Sequence, residues 1–178
     1  GVGIVRDAKT GYLDYVSAQF NNIASIKTKG IDVSLKGVLA RTSMGQFNLG
    51  LETSYLLSRK QDGVETVGIY QSFGPVVRTK NAASLDWSQG GWSADLAYRW
   101  QSGYRDSGDT RDVGSYEIFD LSVAYRGIKN LTVRAGIQNL FDRDPPYSRQ
   151  GDYFHVGYDP TYADPRGRTF SLAVKYNW

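Results

Sequence analysis

The last ten residues of the chain alternate without a break. Phe170, Leu172, Val174, Tyr176 and Trp178 fall on one parity, and Thr169, Ser171, Ala173, Lys175 and Asn177 on the other. Successive side chains of a strand point to opposite faces, so this stretch predicts a strand with a wholly apolar side, ending in aromatics, and a polar side. Few folds accept many copies of that pattern, and most of the chain repeats it. The composition gives no competing signal. No window approaches the roughly 20 apolar residues of a membrane helix, so any membrane crossing would have to be made with strands.

In chain order, residues 1 to 7 look like the end of a strand, followed by a turn at Asp7–Gly11 within a polar loop. A long extended segment from about 23 to 41 sets Ile31, Val33, Leu35 and Leu39 against Asp32, Ser34 and Lys36. After a turn at 42–45, a strand over about 46–60 sets Phe47, Leu49, Leu51, Tyr55 and Leu57 against Asn48, Gly50, Glu52, Ser54 and Ser58, with Leu56 out of pattern. The third strand, about 76–88, sets Val77, Ala83, Leu85 and Trp87 against Arg78, Lys80, Ser84 and Asp86. The fourth sets Trp92, Ala94, Leu96, Tyr98 and Trp100 against Ser93, Asp95, Ala97, Arg99 and Gln101. Phe119, Leu121, Val123 and Tyr125 oppose Asp120, Ser122, Ala124 and Arg126 in the fifth. Leu131, Val133, Ala135, Ile137 and Phe141 oppose Thr132, Arg134, Gly136 and Gln138 in the sixth.

Two regularities go beyond alternation. Connections alternate short and long: 42–45 then 61–75, 88–91 then 102–115, 127–130 then 142–166. Tight turns therefore gather at one end of an up-and-down meander and long loops at the other, as in outer-membrane barrels. Aromatics also collect at strand ends on the apolar parity. Phe47, Trp87, Trp92, Tyr125, Tyr176 and Trp178 mark the tight-turn end, and Tyr55, Tyr98, Trp100, Phe119 and Phe141 the loop end. Two aromatic belts bounding an aliphatic band suit a bilayer crossing. The opposite parity, carrying Arg78, Lys80, Asp86, Asp95, Arg99, Asp120, Arg134 and Lys175, would then line a hydrated lumen. A soluble β-barrel or sandwich, its aliphatic face a core, also explains the alternation. It explains neither the sorted turns nor the placement of tryptophans.

Asn139-Leu140-Phe141-Asp142 closing one strand, a long Tyr/Pro/Gly-rich loop, and Pro165-Arg166-Gly167-Arg168-Thr169-Phe170 opening a final strand with an aromatic end resemble the C-terminus of a TonB-dependent outer-membrane receptor. Residues 21–35, with Lys29-Gly30-Ile31-Asp32-Val33 entering a strand, are similar to an earlier stretch of the same barrels. The resemblance implies an all-β fold: an antiparallel, up-and-down transmembrane β-barrel segment of about seven full strands from a barrel of about 22. Residues 1–178 would be the C-terminal part of the barrel domain. The earlier strands, the N-terminal plug and any TonB-contacting segment lie outside this sequence, which starts Gly1-Val2-Gly3 and reads as a mature product or fragment. A self-closed small outer-membrane barrel, with residues 1–7 as an eighth strand and a structural, adhesive or enzymatic role, is the alternative architecture.

The implied activity is uptake of a scarce nutrient, foremost a ferric siderophore, across the outer membrane of a Gram-negative bacterium. The energy would come from the TonB complex acting through the plug. The partners implied are outer-membrane lipid, the plug, the remaining barrel strands and a small-molecule nutrient. Loop residues suited to an anionic or aromatic ligand are Tyr70, Tyr104, Arg105, Arg111, Tyr147, Arg149, Tyr153, His155, Tyr158 and Tyr162, because guanidinium groups bind carboxylates and tyrosines offer stacking area with a hydroxyl. Plug- or lumen-facing positions are Arg78, Lys80, Asp95, Arg99, Asp120, Arg134 and Lys175.

Other chemistries find little support. A formal charge of +3, from 21 basic and 18 acidic residues scattered along the chain, makes no nucleic-acid surface. The absence of cysteine removes thiol catalysis and Cys-based zinc sites. His155 is the single histidine, so a histidine metal cluster is excluded, and neither a catalytic residue nor a metal or other cofactor is assigned. Ser148 lies near it without a mark of its own, so the chain is read as a non-enzyme. Asp142, Asp144, Asp152, Asp159 and Asp164 lack EF-hand spacing and read as solvated loop charges.

Overall fold

The computed structural model describes residues 2–18, 25–72, 74–109, 111–154 and 157–178. Strands β1 (Val2–Arg6) and β2 (Leu13–Ala18) form an antiparallel ribbon, Ile4 opposite Val16 and Val5 opposite Tyr15. The chain reverses at the expected turn. Asp7 Oδ1 accepts the amides of Lys9 and Thr10 at 2.9 and 2.7 Å and the Thr10 hydroxyl at 2.8 Å. The residues beyond it, expected as polar loop, pair as a strand. The reason is visible in Leu13, Tyr15 and Val16, which suit a pleated surface more than a loop.

Two long strands follow, β3 (Ile26–Thr42) and β4 (Gly45–Gln61), with short β5 (Val64–Glu65) folded back on β4 and a small pair, β6 (Tyr70–Gln71) and β7 (Gly74–Pro75). Then come β8 (Thr79–Gln89) and β9 (Trp92–Gln101), a second small pair, β10 (Tyr104–Arg105) and β11 (Asp112–Val113), and finally β12 (Tyr116–Ile128), β13 (Leu131–Gln138) and β14 (Thr169–Tyr176). The long strands make one antiparallel meander in the order β14-β13-β12-β9-β8-β4-β3. Among the described residues β1 pairs only with β2, so the ribbon does not close the sheet onto β14 as the small-barrel alternative expected.

The register carries the parity of each strand across the sheet. Leu49, Leu85, Leu96, Leu121, Ile137 and Phe170 are successive cross-strand partners. One residue along, Asn48, Asp86, Asp95, Ser122, Gly136 and Ser171 form the matching row on the other face. A one-residue slip in any strand would mix the two rows, so register and face are the same choice.

The departures from simple alternation are bulges. Leu39 is an extra residue between the Val38–Asn48 and Ala40–Phe47 pairs, so it does not continue the face of Ile31, Val33 and Leu35. Leu57 is likewise extra between Leu56–Gly30 and Ser58–Lys29, so it does not simply follow Tyr55, while Leu56 keeps the parity of Ser54. The strand expected from 76 begins at Thr79, and the strand expected to reach Phe141 ends at Gln138. Val77 belongs to a loop cluster instead of the aliphatic face.

Burial is inverted relative to a soluble β-domain. Among the described residues the buried apolar side chains are Val67, Val77, Tyr104, Val113, Tyr116, Ala124, Tyr162 and Ala163, all in loops or on the charged parity. No member of the aliphatic row is buried, and Phe170 and Leu172 are 69% and 74% exposed. A contiguous apolar face of this extent has to be covered by something outside the chain. At its tight-turn end Trp87 Nε1 donates to Met44 O at 2.6 Å and Gln89 Nε2 to Ser43 O at 2.8 Å, while the Trp92 and Tyr125 rings stand 4.5 Å apart. Gly45 turns there with φ +115°, and a Cβ on it would lie 2.4 Å from Ser88 O.

Candidate functional site

The long connections converge over the charged face and build the only substantial packed core among the described residues. Val77, Tyr104, Val113, Tyr116, Tyr162 and Ala163 form it, with Tyr70 and Ile118 against its edge. Tyr116 and Ile118 point into it because they share the parity of Gln101 and Arg99, the charged-face register of β9 and β12. The Tyr104 and Tyr162 rings meet edge to face at 4.9 Å. Burial pushes the hydroxyls of Tyr70, Tyr104 and Tyr162 well above the ordinary phenol range, the Asp152 carboxylate adding to the effect on Tyr70. All three stay neutral and act as donors: Tyr70 to Asp152 at 2.9 Å, Tyr104 to Asp159 at 3.4 Å, and Tyr162 to backbone carbonyls of the 102–115 loop.

Two carboxylates hold this canopy from inside. Asp106, 2% exposed, accepts the Ser148 hydroxyl at 2.7 Å and the amides of Arg149 and Ser107 at 2.8 and 2.9 Å. Asp159, 1% exposed, accepts the amide and hydroxyl of Thr161 at 2.8 and 2.7 Å. Neither Asp106 nor Gln150, which ties Tyr158 O to the Tyr153 amide, was foreseeable, because their partners are distant in sequence or unpatterned. Asp159-Pro160-Thr161 carried a usable signal, the local Asx-type turn. At the start of the first loop Glu65 accepts the Ser58 hydroxyl at 2.6 Å and the Arg59 amide at 2.8 Å. Those bonds hold its carboxyl down to about 2.

The residues expected to meet a ligand separate into two groups. Tyr104 and Tyr162 are interior, and Tyr70 is half-buried against them. On the outer surface, Arg111 lies over the Tyr147 ring, its guanidinium carbon 4.7 Å from the centroid, with Arg149 exposed nearby in sequence. Arg105 is exposed and pairs with Asp112 at 3.0 Å, while Tyr153 and Tyr158 are half-buried. His155 lies outside the described residues.

Beneath the canopy, on the charged face of the sheet, is a hollow of about 430 Å³ walled by Glu52, Lys80, Arg99, Tyr116, Ile118 and Asp164 and roofed by Tyr162. Arg99 forms an ion pair with Asp120, which also accepts the Asn139 amide at 2.9 Å. Arg166 pairs with Asp164 and holds that carboxyl below its usual range. Arg78 Nη1 donates to Leu56 O at 3.2 Å. Nearer the tight turns Asp86 and Asp95 are cross-strand partners, with Arg134 lining the same recess. Lys175 is exposed opposite Thr132.

Residues 4–140 match the family model described as TonB dependent receptor-like, beta-barrel. The chain belongs to that family. Over 64 residues it is 39% identical to the ferric enterobactin receptor PirA of Pseudomonas aeruginosa, a match covering 36% of this chain and 8% of PirA. The fold recurs in the ferric enterobactin receptor PfeA of Pseudomonas aeruginosa, with TM-score 0.59 and 24% identity over 84% of this chain and 22% of PfeA. It recurs too in the outer membrane transporter YddB of Escherichia coli, with TM-score 0.66 and 16% identity over 98% of this chain and 28% of YddB. The chain thus spans less than a third of the length of each of these relatives.

As a stretch of TonB-dependent receptor barrel, the sheet is an open wall, with β3 and β14 at its edges. These relatives are named as receptors and transporters. Ser148 spends its hydroxyl on Asp106. Of the loop aspartates read as solvated charges, Asp159 is instead buried because Thr161 satisfies it locally, while Asp142 takes the Arg168 amide at 2.7 Å, Asp152 the Tyr70 hydroxyl and Asp164 the Arg166 side chain. No three potential metal ligands of the His, Cys, Asp and Glu types come together among the described residues.

Proposed function

We propose that this chain is part of the wall of a Gram-negative outer-membrane receptor that takes up a scarce nutrient, a ferric siderophore, with energy delivered by TonB through a plug in the lumen. The observation that carries the reading is the inverted burial: the dry core sits under the loops, and no member of the aliphatic rows is buried, the central strands being half-exposed and the β3 and β14 rows exposed. In lipid each unpaired backbone group costs several kcal/mol, so the β3 and β14 edges require the remaining strands of a closed barrel. The plug then faces Arg78, Lys80, Asp95, Arg99, Asp120, Arg134 and Lys175.

The substrate class rests on the similarity to ferric enterobactin receptors and on the outer surface of the canopy. Arg111 stacked on Tyr147, with Arg149 and Arg105, offers cations and aromatic area to an anionic, ring-bearing ligand. The test is binding of iron-55-labelled ferric enterobactin by the full-length receptor in bilayers, with Arg111→Ala/Arg149→Ala as the comparison. Loss of both charged contacts is expected to weaken binding about tenfold or more. Saturable binding that the double variant leaves untouched would remove the canopy from the ligand path. No binding of this or any other ferric siderophore would end the assignment.

A further inference from the structure

Each of the long loops is fastened to both others. Tyr162, from the 142–168 loop, places its hydroxyl 3.0 Å from Gly114 O and 3.1 Å from Ser102 O of the 102–115 loop, and 3.4 Å from Gln101 O at its root. Gln101 Nε2 returns a bond to Tyr162 O. Asp106 of the 102–115 loop accepts Ser148 and Arg149 of the 142–168 loop. The 62–78 loop joins the second through the Arg105 amide, which donates to Gly68 O at 2.7 Å, and the third through Tyr70 and Asp152. Gly74 lies so close to the third loop that a Cβ there would come 2.5 Å from Thr161 Oγ1.

A loop that swung down over a ligand on its own would strip these partners from buried carboxylates and carbonyls, which is expensive. The ligand-facing patch also straddles the joint: Arg111 belongs to the second loop, Tyr147 and Arg149 to the third, and the Arg149 backbone is held by Asp106. We propose that Tyr162 is a positioning residue that locks the 142–168 loop to the 102–115 loop, within one preformed body that the 62–78 loop joins through Gly68 and Tyr70, setting the Arg111–Tyr147–Arg149 patch before ligand arrives and keeping the loops from closing piecewise upon it. Preorganisation of this kind raises affinity by removing the ordering cost of binding. The patch's role in binding rests on the proposed function; the rigidity of the canopy does not.

The experiment uses the full-length receptor in lipid bilayers, spin-labelled in pairs at Ser72, Ser115 and Gly151, one exposed position per loop. Distances are recorded by double electron–electron resonance without ligand and with ferric enterobactin as the probe. The parent is expected to give one narrow distribution per pair, unmoved by the probe. Tyr162→Phe keeps the ring and removes the hydroxyl; it should broaden the Ser115–Gly151 distribution and weaken binding about five- to tenfold. The barrel itself should stay as heat-resistant in detergent as the parent, which separates positioning from general destabilisation. A shift of several Å on adding the probe overturns the one-body proposal, as does a Tyr162→Phe distribution as narrow as the parent's. If neither form binds the probe, the substrate assignment is lost while the distribution widths still decide the canopy.

Discussion

Leu96 offers the sharpest test of which face meets lipid. It pairs with Leu85 and Leu121 and lies four residues from Trp92 on one side and from Trp100 on the other. At about 3.3 Å per residue each belt is about 13 Å away along the strand, or about 10 Å along the membrane normal for a strand tilted about 40°. That puts Leu96 near the centre of an apolar band about 20–25 Å tall, where a lysine costs about 2–4 kcal/mol and at the interface only about 0–1. Leu96→Lys should therefore destabilise the barrel by about 2–4 kcal/mol, and Trp92→Lys by much less of electrostatic origin. Ala97→Lys, one residue along and facing Ser84 and Asp120 across the sheet, should cost under about 0.5 kcal/mol. Urea unfolding of the full-length receptor in phospholipid vesicles measures all of them. If Ala97→Lys proved as costly as Leu96→Lys, or Leu96→Lys were silent, the aliphatic rows would not face hydrocarbon.

Other outcomes follow from the loops and turns. Asp106→Ala leaves the Ser148 hydroxyl and the Arg149 amide without their buried acceptor, and should loosen the canopy by about 2–3 kcal/mol, read as faster proteolysis within 102–115 and 142–168 of an otherwise intact barrel. Glu65, its carboxyl held at about 2 against an ordinary 4.5, stabilises the first loop above pH 4.5 and loses that contribution as pH falls towards 2. Hydrogen exchange over 58–67, corrected for its intrinsic pH dependence, should rise across that window in the parent and stay flat in Glu65→Gln. Gly45→Ala forces a side chain into a left-handed turn and against Ser88 O, which should cost about 1–3 kcal/mol in the same urea assay, whereas Gly63→Ala, where nothing lies within 4 Å, should cost less.

The tight turns, the order of the long strands and the parity of most strand residues were legible beforehand; Leu39, Leu57, Val77 and Phe141, grouped with the aliphatic set, were the exceptions. The loop core was not. Tyr104 and Tyr162 read as ligand contacts and turn out to be interior, while Asp106, the acceptor that joins two loops, carried no mark at all. Val77 shares the odd parity of Ala83, Leu85 and Trp87, but β8 starts only at Thr79, and Val77 is buried instead in the loop cluster with Tyr104, Val113 and Tyr116.

The division has a physical basis. Strand periodicity is a property of adjacent residues, so the chain by itself determined that one set of side chains would be apolar and the other charged, and where it would turn. Which bulges interrupt that alternation, and which loop residues become core, was decided only in the tertiary structure. Those outcomes depend on partners some 20 to 60 positions away, such as Gly30 for Leu56 and Gly114 for Tyr162, and a long-range contact leaves no period in sequence to be read.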